Sequence, residues 1–184
     1  MAGFEFANPM AMPASFIAMC CMFLFHGGFV DIVVINILPH FSGSPLRGWE
    51  PTTEPEKAPM QRRFMAENLA YALLRLIGPV LFIRSMPVYL LCIISYLLEG
   101  SSISWEINFY NGTKEGLPPA TMMALFSTWV LLTLHFNQND FIPDVDPNIF
   151  KVMCVSVGLT WLALIMTLIG LFKKPTDVAL LPQK

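Results

Sequence analysis

The sequence predicts an all-α membrane protein, a polytopic helical bundle of about five transmembrane helices. Of its 184 residues, 55% are apolar and only 13% are charged, whereas a soluble domain has roughly 25% charged residues. Five apolar runs are each close to the roughly 20 residues that a helix needs to cross a bilayer. We therefore expect residues 1–184 to form a single membrane domain. The chain has a net charge of −2 and its basic residues are scattered, so the sequence shows no basic patch of the kind that binds nucleic acid.

Proline and capping residues delimit the five runs. The first run closes at Pro39, and only three residues separate the second from the third. The fourth begins at Pro118 and Pro119, since proline is pre-set for the first turn of a helix. The fifth follows Asp146 and Pro147, an N-cap residue and a first-turn proline. The predicted spans are about 15–38, 64–83, 87–105, 118–136 and 149–172.

The distribution of basic residues predicts the orientation. With five crossings, most Lys and Arg residues fall on one side, which is the cytosolic or the matrix side by the positive-inside rule. The C-terminus and the loop 39–63 then lie on that side, and the N-terminus lies opposite. The five prolines of this loop predict an extended, irregular chain. The predicted location is the mitochondrial inner membrane or the endoplasmic reticulum.

Three charged residues lie deepest inside the predicted spans, where each costs roughly 2.5–3.5 kcal/mol to insert. At 1.5 Å per helical residue, Asp31 and Glu99 lie about 10 Å from the basic side, and Arg75 lies about 16 Å from it. Their long side chains can close this gap. We expect Arg75 to pair with Glu99, with Asp31 or with both, and so to hold the first three helices together.

Polar residues of the third span share one predicted helical face. Ser95, Glu99, Ser102 and Glu106 are spaced by four, three and four residues, which projects all of them onto one side of an α-helix. A polar face of this kind is expected to be turned away from lipid.

A comparable stripe marks the second span. Asn68 and Arg75 lie on one face, and Gly78 and Pro79 follow. Pro79 removes the hydrogen bond that would end on the carbonyl of Arg75, so a kink is expected beside the buried charge. Gly27 and Gly28 of the first span favour close approach of helices.

This polar cluster has a structural and a functional interpretation. A substrate or proton pathway needs a chain of acids or histidines across the membrane, whereas an ion pair bonded across helices needs no more than the residues found. We favour the structural interpretation, with no catalytic residue, metal or cofactor. A haem bound by His26 and His135 would require one flat group to reach two different depths. His26 is better explained as an interhelical hydrogen-bond donor.

The segment from Arg62 to Glu106 resembles the ergosterol biosynthetic protein 28 family. The matching residues are Arg62-Arg63-Phe64, Arg75-Leu76-Ile77-Gly78, Pro87-Val88-Tyr89, Ser95-Tyr96 and the stretch Ser102 to Glu106. They are similar to the R-x-F, R-x-x-G, P-x-x-[FY], S-Y and S-E elements of that family, with its thirteen-residue spacing from Arg62 to Arg75. The match covers about a quarter of the chain strongly and two-thirds loosely.

This resemblance implies a small multi-pass scaffold of the endoplasmic reticulum that tethers sterol-synthesis enzymes and has no activity of its own. It also places Arg75 and Glu106 in a helix core. The chain departs from the family at Ser101-Ser102-Ile103, where the family has His-Phe, and its fifth span is an addition to the usual four.

The sequence therefore predicts a non-catalytic membrane scaffold whose partners are other membrane protein subunits and lipids. We favour an accessory subunit of a large organellar complex, such as a respiratory assembly. A tether of sterol-synthesis enzymes is the first alternative. A small membrane enzyme or carrier that uses Arg75, Glu99 and Asp31 is the second.

Overall fold

The computed structural model describes residues 14–41, 58–81, 85–109, 116–137 and 146–173, which are almost entirely helical and include no strand. The predicted all-α fold class is therefore confirmed. Among the residues that the structure describes, four helices are long and apolar enough to cross a membrane, so the chain is an integral membrane protein. They are Ala14–Ile37, Met86–Phe109, Leu117–Phe136 and Pro147–Phe172.

The first helix has two parts. The α-helix α1, Ala14–Phe23, continues without a break into a π-helical segment, Leu24–Ile37, and a short 3-10 turn, Leu38–His40, follows. In the π segment the backbone bonds reach five residues back, as from the Leu38 amide to the Val33 carbonyl. The predicted span 15–38 is thus correct in extent and wrong in its helical type.

The other four helices lie close to their predicted positions. They are α2, Ala58–Leu81; α3, Met86–Phe109; α4, Leu117–Asn137; and α5, Pro147–Phe172. α2 begins six residues before the predicted residue 64. Asp146 directly precedes α5, as expected of a capping residue.

α2 is not among the four candidate spans. Its sequence contains Arg62, Arg63, Glu67, Asn68 and Arg75, which make it the most polar of the five long helices. The five-crossing topology, and the orientation deduced from it, therefore stay predictions. Residues 42–57, the central part of loop 39–63, lie outside the described residues.

The chain divides into two compact units, one formed by residues 1–92 and 133–146 and the other by residues 93–132 and 147–184. In the first unit, the π segment packs along α2. Phe16 of α1 is fully buried, and its ring meets the edge of Tyr89 at a centroid distance of 6.1 Å. Gly78 lets the first turn of α3 approach α2, since an added Cβ would lie 2.6 Å from Val88 Cγ1.

In the second unit, small side chains and hydroxyl groups mediate helix packing. Ala120, Ala124 and Leu164 form a buried cluster, which partly buried Ile103 and Leu117 cover. Several hydroxyls of α4 and α5 donate to carbonyls of their own helix, which satisfies them without water. They are Thr121, Ser127, Thr128, Thr160 and Thr167.

Candidate functional site

The π segment places three polar residues on one face of the first helix. His26, Asp31 and Asn36 are spaced by five, and in an α-helix of 3.6 residues per turn residues five apart are rotated by about 140°. Bonding to the fifth residue widens the turn, which brings residues five apart closer to one face of the helix. All three side chains therefore point at α2, and they meet Arg75 and Asn68 there.

The centre of this site is an ion pair between Asp31 and Arg75. Arg75 Nη1 donates to Asp31 Oδ2 at 2.8 Å, and both side chains are completely buried. The guanidinium carbon also lies 5.6 Å from the centroid of the Tyr71 ring, one turn earlier on α2, at cation–π distance. A charge-assisted bond of this length in a dry environment holds the two helices in one register.

His26 lies against both members of the pair. Its Nδ1 is 3.4 Å from Arg75 Nη1, and its Nε2 is 3.7 Å from Asp31 Oδ1. The imidazole is 1% exposed, so it faces the pair and not lipid. The sequence predicted an interhelical hydrogen-bond donor here, but the guanidinium has no acceptor, so His26 Nδ1 is the acceptor in its contact with Arg75.

A second polar contact lies about one π turn further along the first helix. Asn36 Nδ2 donates to the carboxamide oxygen of Asn68 at 3.0 Å and to the main-chain carbonyl of Asp31 at 2.6 Å. Asn68 was predicted from the stripe on α2, whereas Asn36 was missed. The five-residue spacing of His26, Asp31 and Asn36 is the signal that could have found it.

Gly27 permits the close approach that this cluster requires. A Cβ at this position would lie 3.1 Å from the Ala72 carbonyl oxygen and 3.2 Å from Arg75 Cβ. At neighbouring Gly28, an added Cβ would make only ordinary contact, 3.5 Å from Leu76 Cδ2. The glycine that matters for helix contact is therefore Gly27.

The predicted stripe on α3 is buried over only part of its length. Ser95 and Glu99 are buried, whereas Ser102 and Glu106 are exposed. Towards its C-terminal end α3 buries Ser104 and Ile107 instead, and a carboxylate such as Glu106, within one turn of the helix end, is least costly where water is near. Ser102 and Glu106 are thus not part of the buried stripe, and Glu106 does not lie in a helix core as the resemblance implied. That their face is turned away from lipid stays a prediction.

Glu99 belongs to the second unit, while Asp31 and Arg75 belong to the first. Its pairing with Arg75 stays a prediction. Gly78 and Pro79 are both buried near the C-terminal end of α2. The kink expected at Pro79 also stays a prediction.

The polar groups of the cluster in the first unit contact one another. Each of Asp31, Arg75 and His26 has a polar partner from the same cluster, and each is at most 1% exposed. Breaking such a pair by removing one partner leaves an uncompensated charge in a low-dielectric environment, which is strongly destabilising. The arrangement is thus suited to fixing helix positions.

No protein-family model, curated protein or solved structure matches the chain. Family membership is therefore not established, and the resemblance of the segment 62–106 to a sterol-synthesis scaffold stays a prediction.

Proposed function

We propose that this protein is a non-catalytic scaffold, an accessory subunit of a larger organellar membrane complex. The observation that carries the proposal is the Asp31–Arg75 pair, which is fully buried and closed by His26. Its charges hold two helices together, and Asp31, Arg75 and His26 contact one another. Such a core supports a fixed shape on which other polypeptides can assemble.

The outer faces of the helices support a role in assembly. Large apolar side chains are exposed along α5, including Val155, Leu159, Trp161, Leu162 and Phe172. Packing between membrane helices depends on shape, because lipid tails are as apolar as the side chains they would replace. A rigid subunit with broad apolar faces can therefore offer matching surfaces to neighbouring spans.

The proposal includes a location and an orientation. We place the protein in the mitochondrial inner membrane or the endoplasmic reticulum, with its C-terminus on the matrix or cytosolic side, on the basis of the basic residues. Its partners are other membrane subunits and lipids. A tether of sterol-synthesis enzymes is the alternative within the same class, and it rests on the resemblance of residues 62–106.

Native purification tests this proposal. The tagged full chain is solubilised in a mild detergent, separated under native conditions, and its co-migrating proteins are identified. Oxidoreductase or ATP-synthase subunits would support the accessory role, and sterol-synthesis enzymes would support the tether. Recovery of the free chain alone, from a preparation in which a known complex of that membrane stays intact, would contradict both.

A carrier or enzyme that depends on Arg75 and Asp31 is tested separately. The paired replacement Asp31→Leu with Arg75→Met removes both charges while filling their space. If the chain still assembles and the co-purified complex keeps full activity, a chemical role for these groups is excluded. Normal assembly with loss of that activity would contradict the scaffold and favour the carrier.

A further inference from the structure

A groove runs along the second unit between α3 and α5. Its volume is about 510 Å³, and it is open on one side. Leu98 and Trp105 of α3 and Leu162 and Met166 of α5 form much of its apolar wall. Both helices are candidate membrane spans, so the open side of the groove faces membrane lipid or a neighbouring protein.

Three polar residues line the α3 wall of this groove. Ser101, Ser104 and Asn108 are spaced by three and four residues and so form one stripe. Asn108 lies at the C-terminal end of the stripe and donates to the main-chain carbonyls of Ser104 and Met166, each at 2.8 Å. Its carboxamide oxygen is buried and has no hydrogen-bond partner within the described part of the chain.

The serine hydroxyls of the stripe retain hydrogen-bonding capacity. Thr160 and Thr167 of α5 donate to carbonyls four residues back, whereas no acceptor among the described residues takes the proton of Ser101 or Ser104. In hydrocarbon no water is present to satisfy such groups, and each unsatisfied group is costly. An occupant with its own hydrogen-bonding group is therefore favoured over an acyl chain alone.

The lining of the groove defines the chemistry of this occupant. Ser104 and Ser101 lie about 8 and 12 Å before the C-terminal end of α3, taken at 1.5 Å per residue. None of the described residues that line the groove is charged. A phosphate or ammonium group would be desolvated there without a counter-ion, whereas a hydroxyl can both donate and accept.

We propose that the groove between α3 and α5 binds a neutral lipid alcohol, with its hydroxyl on Ser101 and Ser104 and its apolar body against Trp105 and Leu162. The site lies in the second unit and does not involve Asp31 or Arg75, and its α5 wall shares Leu159 and Leu162 with the apolar surface proposed for assembly.

Photolabelling tests the site. The full chain is reconstituted in phosphatidylcholine nanodiscs with a long-chain alcohol that carries a diazirine in its chain, and labelled peptides are mapped after illumination. Labelling of the groove walls, displaced by dioleoylglycerol, by cholesterol or by both but not by octadecane, is the expected result. The competitor that succeeds distinguishes a flexible glyceride from a rigid ring system. Equal displacement by octadecane, or labels confined to other helices, would overturn the proposal.

Serine variants make the test specific. Ser101→Ala with Ser104→Ala should reduce displaceable labelling by about tenfold, because two neutral hydrogen bonds are lost. Ser102→Ala is the matched control, since Ser102 is exposed on the same helix and does not line the groove, and its labelling should equal that of the unmodified chain. Unchanged labelling of the double variant would overturn the proposal. Circular dichroism shows whether the double variant is folded. If it is misfolded, Leu162→Trp is used in its place. The larger side chain fills the groove from α5 and should abolish labelling.

Discussion

His26 and Asp31 lie five residues apart on one face of a π-helix, with His26 Nε2 3.7 Å from Asp31 Oδ1. A helix with the usual four-residue bonding would direct these side chains to different sides. The wider turn lets a single segment present both an imidazole and a carboxylate to Arg75 of the neighbouring helix. π-Helical bonding is rare and often found at functional positions, and here it serves contact between two helices.

Asn36 should stabilise the π segment through its bonds to Asn68 and to the Asp31 carbonyl. Asn36→Ala is expected to lower the free energy of unfolding by about 1–2 kcal/mol, since the Asn68 and Asp31 groups lose their donor. Asn68→Ala should have a similar effect, and the double variant should cost less than the sum of the two. Thermal unfolding in detergent measures these values, with exposed Ile37→Ala as the control. Strict additivity would show that the two asparagines are not coupled.

Adjacent glycines of the π segment should respond differently to a methyl group. Gly27→Ala presses on the main chain of Ala72, at 3.1 Å, and is expected to destabilise the protein by about 1–2 kcal/mol through overpacking. Gly28→Ala meets only Leu76 at contact distance and should be neutral or slightly stabilising, because alanine favours helices. Thermal unfolding of both variants is the measurement, and equal effects would contradict the close contact at Gly27.

Gly170 of α5 should be required by Asn108 of α3. An added Cβ would lie 2.7 Å from the Asn108 Oδ1 atom, so Gly170→Ala must displace a carboxamide that is bonded to the Met166 carbonyl. We expect a loss of about 1–3 kcal/mol. Gly158→Ala on the same helix is the matched control, since its Cβ would meet no atom of the described residues within 4 Å.

A second variant tests the cause of that loss. Once Asn108→Ala has removed the carboxamide, Gly170→Ala should cost almost nothing further, because the two changes act on one contact. If the losses add in unfolding measurements, the alanine at 170 acts through something other than Asn108.

The sequence predicted most of the helices because apolar length and proline boundaries are local signals. Pro39 and Pro147 each lie within two residues of an observed helix end. The sequence also predicted Asp31 among the possible ion pair partners of Arg75, because a charge at membrane depth requires a counter-charge. Asn36 was missed because a period of 3.6 residues per turn does not place it on the same face as His26 and Asp31.

The exposure of Ser102 and Glu106 on α3 has a different cause. Ser102 and Glu106 share a helical face with Ser95 and Glu99, but burial depends on which elements lie opposite each turn. Near its end α3 buries Ser104 and Ile107, and Gly116 lies there, where an added Cβ would be 2.7 Å from Ile107 Cδ1. A single helix projection carries no information about such neighbours.

The central claim is that Asp31 and Arg75 act as a structural clamp, and a double-mutant cycle on this pair tests it most directly. Asp31→Leu alone and Arg75→Met alone should each lower the free energy of unfolding by about 3–5 kcal/mol, since each leaves a buried charge without its partner. The double variant should lie within about 1–2 kcal/mol of the unmodified protein, because an apolar pair of similar volume replaces the ion pair. Thermal or denaturant unfolding of all four proteins in one detergent gives the coupling energy. Single variants as stable as the unmodified chain, or losses that simply add in the double variant, would contradict the account.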